Sequence, residues 1–206
     1  NLFGVMRVTN AVLPAMREQG GGRIINMSSV LGLIPAPYSA HYAATKHALE
    51  GYSESLDHEV RAFNIRVSLV EPAYTQSVFD QSALEPDAPL GAYEQARTNA
   101  RAMVTGVMQI ADLPTVPAQV VVLAATTKRV RSRYTAGKVA QRISTLRRFA
   151  PADLFDKSLR SDGRGVGQVP RRNVRIVSYR GVVVAGGVAE ERIKPAGGVV
   201  VTRGVF

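Results

Sequence analysis

Cysteine is missing from all 206 residues, so no disulfide framework can brace this chain. Histidine is nearly as scarce. His41, His47 and His58 are scattered, with no cysteine and no matching carboxylate spacing beside them, so no metal site is expected. They read as helix-surface residues, and a relay through His41 beside Tyr42 is set aside. Long apolar runs are absent too. None approaches the roughly 20 residues of a membrane span, and the first residues lack the basic-then-apolar layout of a signal peptide. The expectation is a cytoplasmic protein with no membrane partner. Aromatic residues make up only 6% of the chain. Arg142, Arg147, Arg148, Arg171 and Arg172 therefore have few aromatic neighbours, which argues against the basic, stacking surface of a nucleic-acid binder.

What is present is a globular composition, 46% hydrophobic, with 26 basic against 16 acidic residues. The excess is unevenly placed. From Ser161 onward the last 46 residues hold 9 of the 18 glycines and 8 basic against 3 acidic side chains, so half of the +10 charge lies there. Segments such as Val174-Arg175-Ile176-Val177 and Gly198-Val199-Val200-Val201 have strand propensity, but no amphipathic helix or aromatic accompanies them to close a core. The chain thus reads as a body, residues 1–160, and an irregular Gly/Val/Arg-rich tail, residues 161–206, expected to be disordered and of different origin.

Within the body, helical and extended patterns alternate. Leu2, Val5, Met6, Val8, Val12, Leu13 and Met16 recur at helical spacing over Asn1–Glu18, predicting a well-buried helix stopped by Gly20-Gly21-Gly22. Arg23–Met27 and Ile65–Val70 read as interior parallel strands, Ser39–Phe63 and Val116–Thr127 as helices, and Arg133–Ala136 as a last strand, with Ser144–Arg160 closing the body. Ser28 and Ser29 then fall at the C-terminal end of the first strand, where open α/β sheets form their ligand crevice. Glu50, Glu54, Asp57, Glu59 and Arg61 read as a solvated helix face.

The chemistry-bearing run is Tyr42-Ala43-Ala44-Thr45-Lys46, thirteen residues after Ser29. Residues i and i+4 share a helix face, so the Lys46 ammonium can favour a Tyr42 phenolate that otherwise forms only near pH 10. Tyr42 becomes a usable acid/base, and Ser29 adds a hydroxyl that can hold a substrate oxygen. Alcohol and carbonyl interconversion by hydride transfer suits the trio.

Asn26-Met27-Ser28-Ser29-Val30-Leu31-Gly32, Tyr42-Ala43-Ala44-Thr45-Lys46 and Val70-Glu71-Pro72-Ala73 together resemble the short-chain dehydrogenase/reductase family, from Asn1 to about Arg160. The resemblance implies the C-terminal half of a Rossmann-type, doubly wound parallel sheet and an NAD- or NADP-dependent oxidoreductase. Ser29, Tyr42 and Lys46 take the catalytic positions, and Asn1 matches the fourth member of the family's tetrad. Lys46 and Tyr42 would also hold the nicotinamide ribose, and Pro72, Ala73 and Thr75 fall where the family cradles the carboxamide. Ala73 stands where glycine is more usual, and Ser77 where the family has threonine. The glycine-rich strand-turn-helix that grips the pyrophosphate does not occur. Gly20-Gly21-Gly22 has the reverse order, and with the missing segment goes any reading of NAD against NADP.

By the same resemblance, residues 77–109 cover the substrate. Phe79, Leu84, Leu90, Tyr93, Met103, Val107 and Met108 give that region an apolar character suited to a lipophilic alcohol or ketone, although such residues serve equally as core. The helices Asn1–Glu18 and Ser39–Phe63 correspond to those that pair family subunits, so a homodimer or homotetramer is expected. Two other readings stand beside the enzyme: an inactive, N-terminally truncated fragment lacking the dinucleotide-binding half, and an interaction protein using its basic tail on acidic partners.

Overall fold

A computed structural model of the protein describes residues 1–77 and 87–151, together with Asp153, Leu154 and Lys157. The chain divides into two units, residues 1–169 and 170–206, and the second lies wholly outside the described residues. So do Phe79 and Leu84 of the expected substrate cover, and the tail expected to be disordered.

Helix α1 (Phe3–Glu18) leads into strand β1 (Gly22–Met27), a 3-10 turn (Val30–Gly32) and the 21-residue helix α2 (Ala40–Val60). Strand β2 (Ile65–Pro72), helix α3 (Glu94–Met108), helix α4 (Thr115–Thr126), strand β3 (Arg133–Ala136) and helix α5 (Lys138–Phe149) follow. The three strands are parallel and lie in the order β1-β2-β3, with Gly22 opposite Ile65 and Leu69 opposite Arg133.

Alternate side chains of a strand point to opposite faces, and this sheet uses both. Ile24, Ile65 and Val67 join Leu56 and Val60 of α2 in one core, with Val12, Leu13 and Met16 of α1 packed against it. On the other face Val70, Tyr134 and Ala136 meet Ala124 of α4, with Ile25, Val120 and Val121 alongside. Helices on both faces of a parallel sheet make this an α/β, Rossmann-like arrangement. No helix among the described residues is long and apolar enough to cross a membrane.

The glycine run stops α1, as its position after the helical pattern predicts. Gly20 and Gly21 have φ of +84° and +150°, and their N–H groups donate to Arg17 O and Met16 O at 3.1 and 2.9 Å. The burial of α1 differs from expectation. Thr9 is its one buried residue, while Phe3 and Val8 are 62% and 65% exposed. The reason is that Val12, Leu13 and Met16 form the stripe that meets the described core, and the remaining apolar residues of the pattern point elsewhere. Helix α5 also begins earlier than the expected Ser144, directly after Gly137.

Candidate active site

Strand β1 ends at Met27, and the chain turns at once. The Ser28 N–H donates to Val70 O at 2.8 Å, which extends the contact with β2, and Ser29 is extended, at φ −164° and ψ 161°. Ser29 caps the 3-10 turn, its Oγ accepting the Leu31 N–H at 3.2 Å. That leaves the Ser29 hydroxyl proton as a donor, on a side chain held in place by the turn. Both serines are buried.

Helix α2 brings its face to the same point. Lys46 is buried, its Nζ donates to Met27 O at 2.7 Å, and the ammonium lies 5.6 Å from the centre of the half-buried Tyr42 ring. Burial pushes the Lys46 pKa below its ordinary value, and the charge of Glu50 one turn on opposes that fall. The i,i+4 spacing thus delivers Lys46 to Tyr42, and the Met27 carbonyl ties it to the strand end that carries Ser29. Asn1 is exposed, ahead of α1.

The C-terminal end of β2 supplies the second wall. Pro72 and Ala73 are half-buried, and Ala73 has no positive φ, so its Cβ brings no backbone strain where the family favours glycine. Thr75 pairs with Asp112, the Asp112 N–H donates to Tyr74 O at 3.1 Å, and the Gln76 N–H donates to Asp112 O at 2.9 Å. Gly137, at φ +90°, lets the chain pass that residue: a Cβ there would lie 2.0 Å from Asp112 Oδ2. Asp112 and Gly137 carry no signal in the sequence that would tie them to this loop.

The acidic face of α2 requires a correction. Glu50 and Asp57 are not solvated but 4% and 1% exposed, while Glu54 is partly open and Glu59 exposed. Partners from other elements explain it. Asp57 accepts from Arg61, from Arg66 Nε at 2.9 Å and from the Val67 N–H at 2.8 Å. Burial pushes the Asp57 pKa up, but the hydrogen bonds from Arg66, Val67 and Arg61 outweigh it and hold the carboxyl at about 2. Glu50 accepts the Ser28 hydroxyl and pairs with Arg133, which also reaches Glu54 and Glu71. The three histidines lie on exposed positions of α2, and no cluster of metal-ligating side chains occurs among the described residues.

The family model described as short chain dehydrogenase matches residues 1–88, which hold Ser29, Tyr42, Lys46 and the end of β2. The chain matches the short-chain dehydrogenase/reductase family over this partial Rossmann region. It is 30% identical over 161 residues to a probable short-chain type dehydrogenase/reductase of Helicobacter pylori, covering 78% of this chain and 59% of the relative. A 3-ketodihydrosphingosine reductase of Bacteroides thetaiotaomicron is 51% identical over 72 residues, 35% of this chain and 27% of that protein. Among solved structures, a short-chain dehydrogenase from Streptomyces avermitilis superposes with a TM-score of 0.60 at 31% identity, over 78% of this chain and 59% of that one. The chain therefore spans little more than half the length of the first of these relatives.

Proposed function

We propose that the protein is an NAD(P)(H)-dependent oxidoreductase that interconverts an alcohol and a carbonyl, with Tyr42 as general acid/base. The observation that carries this reading is the buried Lys46 ammonium, tied by 2.7 Å to the carbonyl beside Ser28-Ser29 and lying against the Tyr42 ring. In reduction Tyr42 gives its phenolic proton to the carbonyl oxygen, and in oxidation its phenolate takes the proton of the alcohol. The positive charge of Lys46 lowers the cost of that phenolate, more so in a buried setting than in water. Ser29 donates its hydroxyl proton to the same substrate oxygen and fixes its orientation.

When bound, the nicotinamide cofactor, NAD or NADP, supplies or accepts the hydride. The residues present suit it. Lys46 spends one N–H on Met27 and keeps two donors for ribose hydroxyls, with Tyr42 beside it. The backbone at Pro72, Ala73 and Thr75, braced by Asp112, would hold the carboxamide. Asn1 joins the proposal as the residue that links Lys46 to solvent through a water.

For the substrate we favour a lipophilic alcohol or ketone. The apolar residues of the substrate-cover segment support this, as does the likeness to a reductase named for 3-ketodihydrosphingosine, a long-chain ketone. A cytoplasmic setting and a homodimer or homotetramer built on α1 and α2 belong to the same proposal. The exposed Phe3 and Val8 on α1 are available to such an interface. The test is transfer of deuterium from ring-deuterated NADH or NADPH to a long-chain ketone. Labelled alcohol is the expected product, and no transfer from either cofactor to any ketone of a chain-length series contradicts the proposal.

A further inference from the structure

Behind the strand end that carries Ser29, three carboxylates meet one guanidinium. Arg133 of β3 places Nη1 2.8 Å from Glu50 Oε2 and 3.0 Å from Glu71 Oε1, and Nε 2.7 Å from Glu54 Oε1. Glu54 is partly open to water and its pairing with Arg133 holds its pKa below the ordinary carboxylate value. Glu50 and Glu71 are 4% and 1% exposed, and two buried carboxylates in one site resist ionising together. Lys46 faces Glu50 from α2, His58 of the same helix faces Glu54 at the open edge, and Ser28 faces Glu50 from the loop after β1. Arg133 and Lys46, the two cations at the buried end, against three carboxylates leave one negative charge too many there, and a single proton removes it.

The hydrogen bonding points to the same proton. Glu71 Oε2 is buried without a hydrogen-bond partner, Glu50 Oε2 has only its ion-pair contact with Arg133, and the one nitrogen Arg133 Nη1 lies within 3.0 Å of both carboxylates and so holds them side by side. A carboxylic acid donating to a carboxylate satisfies both oxygens at once. Glu50 Oε1 already accepts the Ser28 hydroxyl, which marks Glu50 as the acceptor and Glu71 as the acid. Gly32 closes the arrangement: a Cβ there would stand 2.9 Å from Glu50 Cγ and from Ser28 Oγ, so the turn lies directly on this pair.

We propose that Glu50 and Glu71 share one proton at neutral pH and are positioning residues, Glu71 fixing Glu50 while Glu50 holds Ser28 and the turn that presents Ser29. Their service to a reaction rests on the oxidoreductase reading above; the shared proton and its hold on the turn do not. Burial, then the charge of Glu50, raises the Glu71 pKa to about 7, so the proton is lost as pH rises through neutrality. A second buried negative charge then repels Glu50 from its place.

Carboxyl-carbon NMR of the full chain across pH, read with the amide resonances of Ser29 and Leu31 and the Nζ resonance of Lys46, tests this. Glu71 is expected to titrate near neutrality, with the three site resonances moving at the same midpoint. Glu71→Gln, whose amide N–H replaces the acid O–H, is expected to abolish that shared transition while keeping the fold. A Glu71 that titrates in the ordinary carboxylate range, or site resonances indifferent to its titration, overturns the proposal. The wild-type titration decides the matter should the variant fail to fold. Coupled titration in a chain without turnover upholds the proton and its hold on Ser29 and fails only the oxidoreductase reading. In an active chain, Glu71→Gln is expected to flatten the inflection of kcat near pH 7.

Discussion

The residues that matter here divide by how far apart their partners lie. The meeting of Tyr42 and Lys46 was legible in the sequence because the helix repeat itself delivers Lys46 to Tyr42, thirteen residues past Ser29. Arg133 was not legible, since its partners Glu71 and Glu54 are 62 and 79 residues away. A charge count along α2 sees only solvated acids, because desolvation and long-range pairing have no signature in local spacing. Asp57 is the sharpest case. It is buried under two arginines and a backbone N–H, so Asp57→Ala should cost about 3 kcal/mol by leaving those donors unpaired. The shift in urea midpoint at constant m-value checks this. At the site, Ser29→Ala should leave stability within about 1 kcal/mol, since its capped turn is also held by backbone bonds. Turnover by that variant should fall by about 10²-fold or more, as measured by steady-state kinetics.

Among the elements, the alternation of strand and helix was readable from apolar periodicity, and observed boundaries differ from expectation by a few residues at most ends. Exposure of α1 was not readable, because a helical stripe says which residues can be buried and not what covers them. Loops carry the other surprise. Two positive-φ glycines have different reasons to be glycine. Gly20 has open space around its missing Cβ, whereas at Gly137 a Cβ would lie 2.0 Å from Asp112 Oδ2. Gly20→Ala should therefore cost about 1 kcal/mol, the left-handed backbone penalty alone. Gly137→Ala should cost clearly more and displace the Asp112 loop that braces Tyr74, Thr75 and Gln76. Equilibrium denaturation of the two variants side by side separates strain from collision, and equal losses would refute the steric account.

For the whole molecule, two buried acids set opposite trends with pH. Asp57 is lowered from 3.8 to about 2, so the native state binds this proton more weakly than the unfolded chain. Its contribution, about 2 kcal/mol, is present above the unfolded pKa and lost as pH falls towards 2. Glu71 is raised from 4.5 to about 7, so the native state holds a proton that the unfolded chain has released. Stability should then fall as pH rises from about 4.5 to about 7, and Glu71→Gln should remove that fall. Denaturation midpoints across pH give both slopes. The account as a whole stands on Tyr42 as the acid/base of a hydride-transferring site, and one comparison reaches it most directly: kcat of the chain and of Tyr42→Phe, with the same ketone and nicotinamide cofactor. The account predicts a loss of about 10²-fold or more in kcat at saturating cofactor, with unchanged folding. A Tyr42→Phe chain that turns over like the wild type would contradict it.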